Sequence, residues 1–234
     1  MIDLQKFKNR QTIRELFNAI ADRYDFINTV LSFGRDKAWR RSLLRYLPKR
    51  RGLKVVDLAT GTGEQIRALK KDGRIENMIG IDISEKMLEL ARKKLQHSMP
   101  PVHLLLGNAL RIPLEDASCD VVTMTFGLRN TSDAAKCLSE MRRILKPGGV
   151  SLIVEFSLPA QWLRPFHLFY LRHALPQVGA FLSKNREAYR YLNLSIEEFF
   201  QPRELSDLLM KAGFKEVRLH SKTGGIVTVY EAMT

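Results

Sequence analysis

Cysteine is scarce in this chain, and long apolar runs are absent. The 234 residues include two cysteines, Cys119 and Cys137, and neither belongs to a C-x-x-C pair, so we expect no disulfide framework and no metal site of the zinc type. That usage suits a reducing cytoplasm. No stretch of about 18 uncharged apolar residues occurs, and the first residues, MIDLQKFKNRQ, lack the apolar core of a signal peptide. The sequence therefore predicts neither a membrane-spanning nor a secreted protein.

Acidic side chains are scarce in the segment 35–54, where Asp36 is the single acid and every other charged residue is a cation. These cations are Arg35, Lys37, Arg40, Arg41, Arg45, Lys49, Arg50, Arg51 and Lys54. They contribute to a net charge of +13, which implies an anionic partner such as nucleic acid or acidic lipid. The apolar residues that interleave with them, as in an interfacial amphipathic helix, are Trp39, Leu43, Leu44 and Leu47. We therefore favour an anionic membrane surface over nucleic acid, with lipid contacts at Arg40, Arg41, Arg45 and Arg50. A solvated helix face is the alternative.

The clearest local motif is a strand, a tight turn and a helix between Leu53 and Lys71. Leu53–Leu58 is a short apolar run of the kind found in buried parallel strands. Gly61 and Gly63 follow, and a helical pattern begins at Glu64. Glycine lets the backbone approach a ligand closely, and the start of a helix offers unpaired N–H groups. The motif predicts a ligand-binding turn.

Acids near this turn indicate the kind of ligand. A dinucleotide site would have a third glycine at position 66, where this chain has Ile66, and Asp57 would repel a pyrophosphate. Asp57 instead suits a cationic ligand, such as a sulfonium compound with an amino-acid tail. Asp82 ends the next predicted strand, at the spacing from which a carboxylate reaches ribose hydroxyls.

Several further motifs make the chain resemble a known family. In chain order they are Arg23-Tyr24-Asp25, Leu31-Ser32-Phe33-Gly34, Gly107-Asn108-Ala109, Phe126-Gly127-Leu128-Arg129-Asn130, Leu145-Lys146-Pro147-Gly148-Gly149 and Thr223-Gly224-Gly225. Together with the turn and Asp82, they resemble the menaquinone/ubiquinone biosynthesis C-methyltransferases, which are class I methyltransferases. The likeness runs from about residue 15 to the C-terminus.

The resemblance implies S-adenosyl-L-methionine as the cofactor. The glycine turn would hold its methionine portion, Asp82 its ribose and Asn108 its adenine, since an Asn side chain offers both a donor and an acceptor. In this family pattern Thr125 would close the fourth strand and face the cofactor. The expected cofactor contacts are Asp57, Gly61, Thr62, Gly63, Asp82, Asn108, Ala109 and Thr125.

The implied reaction is C-methylation of a polyprenylated quinol, and we expect demethylmenaquinol as the substrate. A methoxy-benzoquinol of ubiquinone synthesis, or both, is the alternative, because nothing in the sequence separates the two rings. An RNA-binding or RNA-methylating protein is the alternative from another class. It is disfavoured because no aromatic-plus-basic stacking motif occurs and the apolar residues of 162–182 would have no use.

Three residues are candidates for catalysis: Tyr24, Arg129 and Asn130. Removing the quinol hydroxyl proton makes the ortho carbon nucleophilic, so a base is needed, directly or through a water. Arg129 would stabilise the phenolate, Asn130 would hold a water, and Tyr24 would hydrogen-bond on the substrate side. The alternatives are a surface ion pair for Arg129, a helix N-cap for Asn130, and ring packing for Tyr24 with Asp25 as a cap. Among the scattered histidines, His173 is a reserve base.

Alternating strand and helix patterns predict one α/β domain, 1–234, with a doubly wound, mostly parallel sheet. The predicted strands are Leu53–Leu58, Met78–Ile81, Val102–Leu106, Cys119–Thr125 and Val150–Phe156, followed by a closing pair over 214–220 and 226–232. Helices over 11–23 and 35–46 would form an N-terminal cover, 1–50, and 157–200 an apolar insertion on the substrate side. The sequence leaves a homo-oligomer open.

Overall fold

The fold is described from a computed structural model that covers residues 9–183 and 186–234, without the side chains of Arg10, Ser183 and Arg186. Its strands are β1 (Leu53–Leu58), β2 (Ile75–Asp82), β3 (Val102–Leu106), β4 (Cys119–Thr125), β5 (Leu145–Phe156), β6 (Glu216–Lys222) and β7 (Val227–Met233). They form one sheet in the order β3-β2-β1-β4-β5-β7-β6. Strands β1 to β5 are parallel, and β7 is antiparallel to both β5 and β6. The predicted doubly wound α/β fold is confirmed.

The helices lie before, between and after these strands. In chain order they are α1 (Arg10–Ile20), α2 (Tyr24–Leu31), α3 (Arg35–Ser42), α4 (Glu64–Leu69), α5 (Glu85–Leu95), α6 (Ala134–Ile144), α7 (Arg164–Phe169), α8 (Leu175–Ser183), α9 (Arg186–Glu197) and α10 (Pro202–Lys211). A π-helical segment, Tyr170–Ala174, joins α7 to α8. Within the described residues no helix combines the length and apolar character needed to cross a membrane.

Both faces of the sheet are buried, as a parallel sheet requires. Every residue of the central strand β4 is buried. On one face Val56 and Met124 pack against α6 and α10, in a cluster that includes Leu138 and Leu205. On the other face lie Val55, Val121 and Leu152, covered by α3, α4 and α5. Alternate residues of one strand thus serve two separate apolar layers.

A third apolar layer joins the N-terminal helices to the insertion. Ile20 and Ile27 pack against Leu171, Leu175 and Ile196, with the sheet contributing only Phe156 at the margin. Two hydrogen bonds tie the same parts together: Arg23 donates to the Leu182 carbonyl at 2.7 Å, and the Tyr170 hydroxyl to the Leu31 carbonyl at 2.7 Å. We call α1, α2 and the described part of α7–α9 the roof.

Two local predictions are wrong. Tyr24 and Asp25 were expected between two N-terminal helices, but they are the first residues of α2, so the alternative of Asp25 as a cap does not hold either. The fifth strand was expected to begin at Val150, after Pro147-Gly148-Gly149. Instead α6 ends at Ile144, β5 begins at Leu145, and these residues form an irregularity in its pairing with β4. Backbone pairing along β4 outweighs the local turn preference there.

Candidate active site

A polar cavity lies beyond the carboxyl ends of β1 to β4, under α1 and α2. Its lining includes Gly61 and Thr62 after β1, Asp82 after β2, Gly107 to Leu110 after β3, and Thr125 to Gly127 after β4. Because parallel strands end at one edge, these four loops converge, as the sequence predicted. Tyr24 and Asp25 of α2 complete the wall.

Asp82 is held in a defined orientation at this edge. Its Oδ2 accepts a hydrogen bond from the Gly61 N–H at 2.8 Å, and its Oδ1 accepts one from the Ser84 N–H at 2.9 Å. Burial raises the pKa of the carboxyl group above its usual range. Each carboxylate oxygen can accept a second bond, so the side chain can bind a hydroxyl of a ligand in the cavity.

Thr62 links the roof to the glycine turn. Its hydroxyl donates to Asp25 Oδ1 at 2.6 Å. Asp25 also accepts from Lys94, which donates to Glu64 at 3.1 Å as well. The roof helix α2 is therefore fastened to the turn and to α5 by one polar network.

The remaining lining residues from the sequence prediction are Asn108, Ala109 and Thr125, and all three line the polar cavity. Asn108 Oδ1 accepts from the Leu110 N–H at 3.0 Å, which leaves the side-chain NH₂ group to donate to a ligand. The Thr125 hydroxyl donates to Gln65 Oε1 at 2.9 Å. The retained hydroxyl at 125 thus anchors α4 to β4 beside the cavity.

Asp57 and Gly63 were expected to contact the ligand, but neither lines the described cavity. Asp57 lies beneath the turn, where its oxygens accept from Thr60 at 2.7 Å and from Thr123 at 2.6 Å. Burial raises its pKa to about 6. Gly63 has a φ of +84°, and an added Cβ would lie 2.8 Å from Leu95 Cδ1, so helix packing requires glycine here. Both residues support the turn from below.

A second, apolar cavity of 360 Å³ lies between the roof and the sheet. Its lining comes from α2, α3, β5 and the insertion, and its apolar members are Leu31, Phe33, Trp39, Phe126, Phe156, Leu163, Phe166, Leu171, Leu175, Leu192, Ile196 and Ile226. Tyr24, Arg40 and Phe126 line both cavities, so the two meet at these side chains. A polar ligand and an apolar ligand can therefore lie end to end.

Residues 4–234 match the model of the ubiE/COQ5 methyltransferase family. The chain belongs to this family. Demethylmenaquinone methyltransferase of Staphylococcus aureus strain JH9 is 37% identical over 224 residues, which cover 95% of this chain and 92% of that protein. The chain is thus a methyltransferase with the polar cavity at the place where the family resemblance puts S-adenosylmethionine.

Crystal structures of other methyltransferases share the fold. A SAM-dependent methyltransferase from Thermotoga maritima has a TM-score of 0.68 and 24% identity, over 94% of this chain and 98% of that one. A protein from Bacillus halodurans that is described as a methyltransferase has a TM-score of 0.62 and 17% identity, over 83% of this chain and 97% of that one. At these identities the likeness concerns the fold alone.

Arg129 lines the apolar cavity, but its charge is balanced from below. Its Nη1 lies 3.0 Å from Glu155 Oε2, and the two side chains are 5% and 0% exposed. The same nitrogen donates to the Phe126 carbonyl at 2.6 Å. A surface ion pair was the alternative to a catalytic role for Arg129. The ion pair exists, but it is buried.

Asn130 lies in the 3₁₀ turn Leu128–Asn130 and lines the polar cavity. Its side-chain NH₂ donates to the Phe126 carbonyl at 3.2 Å, and its Oδ1 accepts from the Tyr191 hydroxyl at 3.0 Å. The alternative role as a helix cap is wrong, because Asp133 caps α6 by accepting from the Lys136 N–H. Asn130 connects the family motif to the roof.

The basic segment does not have the predicted interfacial arrangement. Trp39, Leu43 and Leu47 are buried against the sheet, so the apolar side of the segment faces protein. Arg50 is exposed and pairs with Asp120 at 2.6 Å, and Arg41 and Arg45 are exposed as well. The predicted amphipathic arrangement is therefore wrong in its apolar half and at Arg40, whereas lipid contact by the other three arginines stays a prediction.

Arg40 is buried, and sequence reasoning missed its position. It is 9% exposed, and its guanidinium carbon lies 5.6 Å from the centre of the Phe126 ring. Its Nε is buried without a hydrogen-bond partner in the described residues. Asp36, Trp39, Arg40 and Leu43 share helical spacing and are all buried, a signal that the sequence contained.

The reserve base His173 lies away from both cavities. It is exposed, and its ring is tilted against Phe169 with ring centres 4.9 Å apart. His167 is 8% exposed and lines the apolar cavity, and its Nε2 has no partner in the part of the chain that is described. Burial lowers the pKa of the His167 ring.

Proposed function

We propose that this methyltransferase transfers a methyl group to a ring carbon of a polyprenylated quinol, converting demethylmenaquinol to menaquinol. The observation that carries the proposal is the meeting of a polar cavity and an apolar cavity at Tyr24, Arg40 and Phe126. The name of the Staphylococcus aureus relative supports the naphthoquinol ring. A methoxy-benzoquinol of ubiquinone synthesis remains the alternative substrate.

The polar cavity suits S-adenosylmethionine. Among the acids that line it, Asp25 and Glu64 pair with Lys94, whereas Asp82 has no ion-pair partner in the described residues and can balance a cationic ligand. Asp82 would bind the ribose hydroxyls, the Gly61–Thr62 turn the methionine portion, and the Asn108 NH₂ group the adenine. When bound, S-adenosylmethionine supplies an electrophilic methyl group on a sulfonium sulfur.

The apolar cavity suits a planar ring with a hydrocarbon tail. The Phe126 and Phe156 rings are stacked with centres 4.5 Å apart, and Trp39 meets both edge-on. Aromatic walls favour a flat quinol ring and exclude water from the reacting carbon. The quinol gains one methyl group at this carbon and loses the ring hydrogen there as a proton.

Tyr24, Arg129 and Asn130 would position the ring. Tyr24 lies where the cavities meet and can hydrogen-bond a ring oxygen. Arg129 and Asn130 both hold the Phe126 carbonyl, so they fix the wall against which the ring lies. Arg129 Nε is buried without a partner in the described residues, so it can also donate to a ring oxygen.

Mass spectrometry of membrane quinones, from cells with and without the gene, tests the function. Loss of the gene should leave a naphthoquinone lighter by one methyl group, and the parent gene should restore the methylated form. A gene carrying Asp82→Ala is the matched control and should restore it less fully than the parent gene. Unchanged naphthoquinones with a lighter benzoquinone would favour the alternative ring, and no change in either quinone would contradict the function.

A polyprenylated quinol resides in a bilayer, so the protein would meet it at a membrane surface. Two exposed apolar stripes flank the apolar cavity. Phe26 and Val30 on α2 and Phe33 in the turn after it are 61%, 37% and 81% exposed. Trp162, Phe166 and Phe169 in and before α7 are 73%, 72% and 67% exposed. We call these six residues the aromatic rim.

The aromatic rim would insert into lipid. Phe26 and Val30 lie one turn apart on α2, Phe166 and Phe169 lie one turn apart on α7, and Phe33 and Phe166 also line the apolar cavity. Large exposed apolar patches mark interaction sites, and aromatic residues suit the membrane interface. Arg35 and Lys37 follow Phe33 directly and are exposed, which suits anionic headgroups. The rim thus takes the lipid-contacting role that the sequence assigned to the basic segment.

Vesicle co-sedimentation with phosphatidylglycerol tests this surface. The variant with Phe26→Ser, Trp162→Ser and Phe169→Ser should bind vesicles at least about a hundredfold more weakly, because each buried aromatic contributes about 1.5–3 kcal/mol. The control variant changes Met210 and Leu219, exposed apolar residues outside the rim, to Ser. Equal binding by the two variants would contradict the surface. Analytical ultracentrifugation gives a second check. If the parent is a dimer and only the rim variant is a monomer, the rim joins two copies of the chain, which would also contradict the surface.

A further inference from the structure

Two neighbouring charged residues of α3 face the apolar cavity. Asp36 is 7% exposed and Arg40 is 9% exposed, and both line that cavity. They are four residues apart on one helix, which puts their Cβ atoms about 5–6 Å apart on the same face. Neither forms an ion pair in residues 9–183 and 186–234, in contrast to Arg129 with Glu155.

An uncompensated arginine in a cavity wall is costly unless a ligand balances it. Arg40 presents a buried Nε–H without a partner, next to Phe126, where the polar and apolar cavities meet. Glu155 pairs with Arg129, whereas Arg40 has no ion-pair partner in the described residues and is attracted to Asp57 only at longer range, so Arg40 keeps a donor for a ligand at this wall. An oxyanion on the quinol ring is the ligand charge that would match it.

Asp36 is placed to create that oxyanion. Its Oδ1 accepts a hydrogen bond from the Ser32 hydroxyl at 3.1 Å, and its backbone N–H donates back to the same hydroxyl at 3.2 Å. These bonds fix the carboxylate one helical turn from Arg40. A carboxylate held in one place at the wall of the substrate cavity is the positioned base that quinol activation needs.

We infer that Asp36 is the general base that deprotonates the quinol hydroxyl and that Arg40 stabilises the phenolate formed. The inference rests on the proposed function. Asp36 takes the hydroxyl proton and the O–H electron pair stays on the oxygen, next to Arg40. The ring carbon would then bond the methyl group as the C–S bond of the sulfonium breaks, with the electron pair of that bond left on the sulfur of S-adenosylhomocysteine. After the carbon has lost its hydrogen as a proton, Asp36 returns the first proton to the oxygen. One proton per turnover, from the ring carbon, is released to solvent.

The first test is kinetic. Asp36→Asn should lower kcat by roughly a hundredfold to ten-thousandfold, and Arg40→Gln by roughly a hundredfold to a thousandfold. The double variant should lose little more than Asp36→Asn alone, because the two residues serve one step. Arg41→Gln, the exposed neighbour, is the matched control and should keep parent kcat. An additive double variant, or an unchanged kcat in Asp36→Asn, would overturn the inference.

The second test uses pH and substrate acidity. In Asp36→Asn, kcat should rise about tenfold per pH unit while the quinol ionises in solution. A ring-halogenated quinol, which loses its proton more readily, should recover much of the lost kcat. The charged and titratable groups that share the cavity with Asp36 are Tyr24, Arg35, Arg40, Arg129, His167 and Tyr170. If His167→Gln, and not Asp36→Asn, shows this pH response, His167 is the base and the inference fails.

Binding and stability separate the remaining outcomes. Calorimetry should give parent affinity for S-adenosylhomocysteine in both variants, and Arg40→Gln should melt no lower than Arg41→Gln. If Arg40→Gln binds S-adenosylhomocysteine weakly but 5′-methylthioadenosine normally, Arg40 holds the cofactor carboxylate instead, which overturns its role. A lower melting temperature and lost binding in Asp36→Asn would make it structural. A parent that does not methylate demethylmenaquinol sinks the proposed function itself, independently of these variants.

Discussion

The polar and apolar cavities share a wall but are built in different ways. Around the polar cavity, side chains such as Asp82, Thr62 and Thr125 are already bonded to protein groups at 2.6–2.9 Å. Around the apolar cavity, Arg40, Arg129 and His167 each keep a buried nitrogen without a partner in the described residues. The polar cavity is preorganised by strand ends, whereas the apolar cavity leaves polar atoms for the substrate.

The largest expected effect concerns Arg129 and Glu155, which form a buried ion pair in the wall of the apolar cavity. Arg129→Leu leaves Glu155 as an uncompensated charge at 0% exposure, so we expect a loss of roughly 3–5 kcal/mol of unfolding free energy. Urea unfolding measures this loss. Changing Glu155 to Gln in the same variant should recover most of it.

The outcome also decides how a loss of activity in Arg129→Leu is to be interpreted. If the single variant is as stable as the parent, Glu155 is neutralised in another way and the pair is not the support described here. If the single variant is unstable and the added Glu155→Gln change restores stability, the double variant can be compared with the parent at equal stability. The loss of turnover that remains is then due to the contact of Arg129 with the substrate.

Asp57 provides the corresponding test beneath the polar cavity. Because burial raises its pKa from 3.8 to about 6, the folded state holds its proton more tightly than the unfolded chain does. This group's contribution to stability is therefore largest below about pH 4 and is lost as pH rises through about 6, by roughly 3 kcal/mol at most. Asp57→Asn should be more stable than the parent at pH 7.5.

The control for this prediction is the pH dependence of the difference. Thermal melts of parent and Asp57→Asn at pH 5 and pH 7.5 should show a smaller gap at the lower pH. A gap that is equal at both values would mean that Asp57 does not titrate between them. A less stable Asn variant at pH 7.5 would mean that its bonds to Thr60 and Thr123 require a carboxylate.

The two cavities also differ in how much the sequence predicted. The loops of the polar cavity were found because their signals are local: a strand ends in an acid, or a glycine turn precedes a helix. The sequence could not separate Gly61, which lines the cavity, from Gly63, which packs against Leu95. That distinction depends on α5, a helix supplied later in the chain.

The walls of the apolar cavity come from distant segments, and there prediction was weaker. Glu155 stands in an apolar strand, and nothing near it in sequence names Arg129 as its partner. Arg40 stands among exposed cations, so its neighbours suggested a surface role. The family motif still located Arg129, Asn130 and Tyr24 at the cavity walls, although their bonding partners follow only from the packed roof.

Asp82 gives the smallest expected effect and the closest test of preorganisation. Asp82→Ala removes the acceptor for a ligand hydroxyl, so affinity for S-adenosylhomocysteine should fall by about 1.5–3 kcal/mol, the range for a bond to a charged group. It also leaves the Gly61 and Ser84 N–H groups without their acceptor, so unfolding free energy should fall by about 1–3 kcal/mol. Asp82→Asn keeps one acceptor oxygen and should lose less of both.

Calorimetry and urea unfolding on the same samples separate the two losses. If Asp82→Ala binds S-adenosylhomocysteine as tightly as the parent, the carboxylate does not hold the ligand. If binding falls while stability does not, Asp82 serves the ligand alone and the turn is preorganised by its glycine and threonine residues.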